Sequence, residues 1–304
     1  METYHLAIAW CWEYDADFVR HVDRECGSRG VKSYLICSDN LSETIQQVQN
    51  GELRFRTFFD RASDQQEAFD RLVRVMQRHP AKMINDADRL KLAIDKAAMQ
   101  KRLSSLGVGV PQTFVLPPWC KRLRIDSLLS ETLPAPFVVK PATGGCGDGV
   151  VKDARTLQDV QKARQLFPHD RYLLQERIEP AQIGGRRAWF RVFFAFGEVL
   201  PCWWDDQTRV AHPMQLLEVD EKIYSGISAI MRKTARVCRL DLFSTEIALT
   251  LEGQLLVIDP VNDQVDLRKK SSHDDGVPDQ VVDRIGSNLV SWVEKSVKRG
   301  VRQT

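Results

Sequence analysis

The chain has 304 residues, 43% of them hydrophobic and 28% charged, with a formal net charge of +2. That length accommodates two or three domains with sizeable cores, and the near-neutral balance argues for neither a nucleic-acid nor a membrane partner. Seven cysteines without a C-x-x-C pair, and six histidines without an H-x-x-x-H spacing, argue against zinc or disulfide frameworks and for a reducing, cytoplasmic setting. The opening run METYHLAIAWCWEYDADF turns acidic soon after its apolar residues, unlike a signal peptide. Up to about residue 85, strand-like runs LAIAW (6–10), SYLIC (33–37), LRFRTFF (53–59) and KMIN (82–85) alternate with helical patterns at 15–26, 41–51 and 63–79. Ser42 is the expected cap of the second helix, and Ser63 or Asp64 that of the third. Such alternation predicts a small, open, mostly parallel α/β domain.

A longer helical pattern over 87–107 ends on Gly107, a residue suited to the position just past a helix. VPQTFVLPP (110–118) then reads as an edge strand. Beyond it, strand patterns at 136–142, 171–178, 189–197, 198–204, 244–250 and 254–260 outnumber the helices expected at 221–239 and 278–299. Turns such as FGE and LEG join several of them, so this part is α+β. The basic end, EKSVKRGVRQT, reads as a solvated helix end.

Two stretches carry chemistry. In VVKPATGGCGDGVVK (138–152), Lys140 ends a β-branched run and four glycines follow within six residues. Small residues beside a cation suit backbone amides approaching a phosphate, although a Walker loop would place its lysine after the glycines. In STEIALTLEGQLLVIDPVND (244–263), a turn at Glu252–Gly253 sets Glu246 and Asp259 where they can face each other. Opposed carboxylates repel unless a cation lies between them, and two acids with an amide oxygen from Asn262 suit Mg²⁺; solvated edge residues are the plainer reading. Between the two stretches, RYLLQERIEP (171–180) offers a strand end for an adenine edge, with Glu179 for ribose hydroxyls.

Together these motifs resemble the ATP-grasp superfamily, over about residues 82–270. The resemblance implies an α/β N-terminal domain followed by an α+β ATP-grasp domain whose two subdomains enclose ATP. The divisions expected are an N-terminal open α/β substrate-side domain (1–85), a connecting helix (86–112), a small subdomain with the glycine loop (113–180) and a C-terminal subdomain with the metal site (181–304). It implies that Lys96 and Lys140 bind nucleotide phosphate, and that the loop Thr143–Gly149, with Gly144, Gly145 and Gly147, closes over it. Gln175, Glu176, Arg177 and Ile178 match the adenine-contacting hinge, Glu246, Asp259 and Asn262 the Mg²⁺ (or Mn²⁺) ligands, and Arg191 the arginine beside the transferred phosphoryl group. Two departures stand out. The last motif, usually acid-x-Asn, reads DPVN here, which brings Asp263 forward as a substitute for Asn262; and Trp189 stands where many members carry an acid two residues before the arginine.

The family resemblance extends to ligases of the D-alanine–D-alanine, glutathione synthetase and ribosomal-protein glutamate types, in which an α/β domain precedes the grasp. It implies an ATP-dependent carboxylate–amine ligase acting through an acyl phosphate on small-molecule or peptide substrates, often as a homo-oligomer. A grasp-fold kinase and a non-catalytic ATP-binding module are the alternatives. Substrate candidates are Trp12, Glu13 and Tyr14 after the first strand, Arg61 after the third, Arg209 beyond the tandem tryptophans Trp203–Trp204, and Arg268 with Lys270 after the metal strand. Each has a structural alternative: interface packing, ion pairing or a solvated loop. No histidine takes a catalytic role, and Cys146 reads as a small loop residue.

Overall fold

The computed structural model describes residues 1–119, 133–145 and 147–301. Strands β1 (Glu2–Trp10), β2 (Ser33–Ile36), β3 (Leu53–Arg61) and β4 (Lys82–Ile84) form a sheet in the order β2-β1-β3-β4, every pairing parallel. Alternation along β1 divides its two apolar faces. Ala7 and Ala9 pack with Ile45 and Val48 of α2 (Leu41–Gln49) and Leu72 and Met76 of α3 (Asp70–Gln77). Leu6 and Ile8 face α1 (Ala16–Ser28), which buries Phe18, Val19, Val22 and Cys26 on one stripe.

The helix starts differ from expectation. Ser42 lies inside α2, and the preceding Asn40 uses its side chain to accept from the Cys37 N–H and donate to the Leu35 carbonyl. Ser63 and Asp64 fall in a turn where the Asp60 carboxylate accepts the Ala62 and Ser63 N–H groups, and helical structure begins only at Glu67. The pattern over 87–107 is two helices, α4 (Ala87–Ala93) and α5 (Lys96–Ser105). Asp95 divides them: extended at φ −73°, ψ 97°, it caps α5 by accepting the Ala98 N–H at 3.0 Å and also pairs with Arg171. At the far end Gly107, at φ +67°, completes a Schellman turn in which Val108 N–H reaches the Leu103 carbonyl.

Strands β5 (Thr113–Leu116), β6 (Phe137–Pro141), β7 (Val151–Ala154) and β8 (Tyr172–Glu176) form an antiparallel sheet in the order β5-β8-β6-β7, with β5 on the edge as expected. Helix α6 (Leu157–Leu166) covers it, opened by a capping box of Thr156 and Asp159. A short hairpin, β9 (Gln182–Ile183) and β10 (Arg186–Arg187), leads into a five-stranded antiparallel sheet. Its strands are β11 (Trp189–Ala195), β12 (Glu198–Asp205), β13 (Val210–Pro213), β14 (Leu242–Leu249) and β15 (Leu255–Asn262), in the order β13-β12-β11-β14-β15. The FGE turn holds Phe196 and Gly197 at φ 54° and 103°, the positive values that a two-residue hairpin needs.

One face of the five-stranded sheet, with Phe190, Val192, Phe243 and Ile247, packs on α5 and α7 (Glu221–Cys238). The opposite face divides along its length. Phe193, Ala195, Cys202 and Leu242 join a core with β1, α1 and the last helix, α8 (Asp279–Val301). Further along, Trp189, Arg191, Trp204 and Glu246 continue the same face and look toward the four-stranded sheet across a cleft. Among the described residues no helix is long and apolar enough to cross a membrane.

Asp95 ties the α5 cap to the four-stranded sheet through Arg171. Replacing Asp95 with Ala is expected to cost about 1 kcal/mol through the lost cap, read as a lower urea midpoint at unchanged slope.

Candidate active site

The cleft between the two antiparallel sheets encloses about 540 Å³, within the range of nucleotide-sized pockets. Its floor is a row of side chains on adjacent strands. Arg191 on β11 lies directly opposite Glu246 on β14, and Glu246 opposite Asp259 on β15. The register slips on both sides of Asp259. Three steps along β15 from Asp259 to Asn262 match two along β14 from Glu246 to Ser244. That bulge takes up the additional residue of the DPVN sequence, so Asn262 still lines the cleft beside the two acids. On the other side Ile258 falls out of register, and its carbonyl accepts a hydrogen bond from Lys140 Nζ at 2.9 Å.

Charge balance in this row is tight. Arg191 Nη1 lies 3.6 Å from Glu246 Oε1, and the Trp189 indole N–H donates to Glu246 Oε2 at 3.3 Å. Burial raises the Glu246 carboxyl above its ordinary value, opposed by Arg191. Lys96, at the first turn of α5, places Nζ 3.9 Å from Asp259 Oδ1 and donates to the Gly144 carbonyl at 2.5 Å. Asp259 Oδ1 is buried and has no hydrogen-bond partner, an acceptor that ordinarily demands one. Lys140 is 5% exposed; burial pushes its amine down to about 8, Asp259 and Glu246 oppose the shift, and Lys96 adds to it.

The glycine loop roofs the Lys140 end of the cleft. Gly144, Gly147 and Gly149 adopt φ of +93°, +78° and +69°, values that side chains resist. Any Cβ at Gly147 would stand 2.6 Å from the Arg209 guanidinium, which reaches in from the β12–β13 turn. Thr143 anchors the start of the loop, giving its N–H and hydroxyl to Asp170, and Gly149 packs beneath Phe167. Cys146 lies outside the described residues. Gln175, Glu176, Arg177 and Ile178 line the opposite end, where Gln175 is held by Thr113 and the Glu176 carboxylate by the Gln112 N–H.

Arg209 is the one substrate candidate that the chain brings to the cleft among the described residues. Arg61 is 3% exposed, forked onto Asp15, and donates to the Val265 carbonyl; it anchors the N-terminal sheet instead of facing a carboxylate ligand. Arg268 is held by Asp266 and Asp275 and stacks near Trp12, while Lys270 donates to the Ala211 carbonyl. Trp12 and Tyr14 pack edge to face, with Tyr14 against His273, and Glu13 is exposed beside them. Asp263 also points elsewhere: it accepts from Asn85 at 2.8 Å, and burial raises it to about 6, so it does not stand in for Asn262. Glu179 is paired with Arg187, which forks onto Asp206, and of these three Arg187 and Asp206 line the cleft. Sequence reasoning missed this pair, for which the tandem Asp205–Asp206 turn was the available signal; of the tandem tryptophans, which a strand points to opposite faces, Trp204 lines the cleft.

Two antiparallel sheets closing on a cleft of lysines, glycines and paired acids, behind a parallel α/β domain, define the ATP-grasp class of fold. Solved structures agree. The chain matches D-cycloserine synthetase DcsG at a TM-score of 0.62, with 18% identity over 96% of this chain and 100% of that one. It matches D-alanine–D-alanine ligase from Bacillus anthracis at 0.65, with 12% identity over 100% and 99%. It matches the ATP-grasp ligase PsnB, complexed with a minimal precursor, Mg and ADP, at 0.59, with 12% identity over 93% and 98%. No family model and no curated protein matches the chain in sequence. The chain therefore has the ATP-grasp fold, an α/β N-terminal domain followed by an α+β grasp, as its motifs implied.

Because Lys140 has a lower pKa folded than unfolded, the folded state carries a charge penalty below about pH 8 that fades as pH rises toward 10.5. Wild type should therefore gain stability relative to Lys140→Met across that window, by up to about 1.4 kcal/mol per pH unit. Denaturant unfolding of both proteins at several pH values checks this; parallel pH profiles would contradict it.

Proposed function

We propose that the chain is an ATP-dependent carboxylate–amine ligase that forms an amide through an acyl phosphate and releases ADP and phosphate. The observation that carries this reading is the buried Asp259 Oδ1, which accepts no hydrogen bond and faces Glu246 between Lys96 and Lys140. Two carboxylates with the Asn262 amide oxygen are a donor set for Mg²⁺ or Mn²⁺, and a cation there would satisfy the orphaned oxygen and the Glu246–Asp259 repulsion together. When bound, the metal would neutralise charge on the β- and γ-phosphates.

The remaining work falls to the chain itself. Lys96 and Lys140 hold the phosphates from two directions, one from a helix start and one from a strand. Residues Gln175–Ile178 receive the adenine, and the glycine loop excludes water that would hydrolyse an acyl phosphate. A substrate carboxylate oxygen attacks the γ-phosphorus and ADP leaves. The amine then attacks the acyl carbon, loses a proton and expels phosphate. Arg191 stabilises the negative charge that develops on the oxyanion and on the leaving phosphate. Positioning supplies much of the rate, which fits a cleft with no histidine or cysteine among its described lining residues.

Glu246→Ala and Asp259→Ala are each expected to lower turnover about a hundred- to a thousandfold while the far-ultraviolet spectrum stays that of the folded protein, because both remove transition-state charge stabilisation. Turnover is read as ADP release with pooled amino acids and other carboxylates in the presence of hydroxylamine. A trapped hydroxamate supports the ligase. A phosphorylated product without hydroxamate would instead make the protein a kinase, and full activity in both variants would remove the metal assignment.

A further inference from the structure

Resting on the ligase reading, we propose that Trp204 is a positioning residue that sets the plane of the Arg191 guanidinium. Among the described residues, three contacts constrain that guanidinium. Its Nε reaches the Ser244 hydroxyl at 3.4 Å, and its Nη1 lies 3.6 Å from Glu246 Oε1. Both are longer than well-formed hydrogen bonds, so neither fixes a plane. The third is the face of Trp204, whose ring centroid lies 4.5 Å from the guanidinium carbon. Indole is the best aromatic partner for a cation, and a planar guanidinium stacks on it with a defined orientation.

The sheet register explains why this tryptophan, and not its neighbour, takes the role. Arg191 pairs with Cys202 across β11 and β12, so Trp204, two residues on, shares its face. Trp203 turns to the opposite face and donates to Glu218. Trp204 keeps contact with the cleft, and on the far side of the pair Trp189 donates to Glu246. The Arg191–Glu246 pair is thus flanked by two indoles: one sets a cation by its ring face, the other an anion by its N–H.

The test compares Trp204→Leu, which keeps much of the volume without the π face, with Trp204→Phe, which keeps an aromatic face. The first readout needs no turnover. The ¹⁵N–¹H signal of Arg191 Nε, identified by its loss in Arg191→Lys, reports side-chain order through its heteronuclear NOE. It should be ordered in wild type and Trp204→Phe and mobile in Trp204→Leu. The second readout is hydroxamate formation: Trp204→Leu should lose about tenfold in kcat, the size of a partly desolvated cation–π contact, with KM for ATP within about twofold, while Trp204→Phe stays near wild type. An Arg191 signal as rigid in Trp204→Leu as in wild type overturns the proposal, and so does an equal loss in both variants. Should Trp204→Leu fail to fold, Trp204→Met, which also lacks a π face, takes its place, and an Arg191 signal as rigid there as in wild type overturns the proposal. A wild type without ligation would count against the ligase reading alone, because the NMR comparison still decides the ring contact.

Discussion

The structure depends on a row of three charged side chains held in register across three strands: Arg191, Glu246 and Asp259. Placing two carboxylates opposite each other on a buried sheet face is unfavourable on its own. The fold answers with a cation at every side: Arg191 from the same sheet, Lys96 from a helix start and Lys140 from the other sheet. These cations come from parts of the chain far apart in sequence. The acidic row therefore organises both walls of the cleft, and the burial that raises Glu246 and lowers Lys140 follows from bringing those walls together.

Much of this was legible in the sequence because strand chemistry has a period of two. WFRVFFA announces that Trp189, Arg191, Phe193 and Ala195 share a face, and the hairpin around Glu252–Gly253 brings Glu246 to Asp259. Where reasoning went astray, a long-range or conformational term decided. The apolar pattern runs unbroken through 87–107, yet the Asp95 carboxylate gains more as a cap and as the partner of Arg171 than as a helix-interior residue. Arg61 was unreadable because its partner, Asp15, arrives from another crossover. Strand β7 and helix α6 went unnoticed because both are short and largely polar, and packing against one sheet face is what forms them. The additional residue in DPVN looked like a defect in the motif; a bulge absorbs it, which no spacing rule foresees.

One sheet face serves two purposes. The apolar half of β11, β12 and β14 is sealed by α8 and the N-terminal sheet, and the polar half forms the floor of the cleft. Phe193 and Arg191 are two residues apart on the same strand face, so the rigidity of the sealed half is transmitted directly to the charged half. The N-terminal domain thus supports the cleft through packing even where its candidate substrate residues do not reach it.

Helix α8 has a consequence for how the chain reaches this state. Its Val282, Ile285, Leu289 and Val293 share one core with Leu6 and Ile8 of the first strand and Phe18 and Val22 of the first helix. Helix α8 follows the α/β unit only after both antiparallel sheets, so that face of the parallel sheet is covered by α1 alone until α8 docks. The core of the α/β unit therefore closes through contacts very distant in sequence, a topology whose loop-closure cost slows folding.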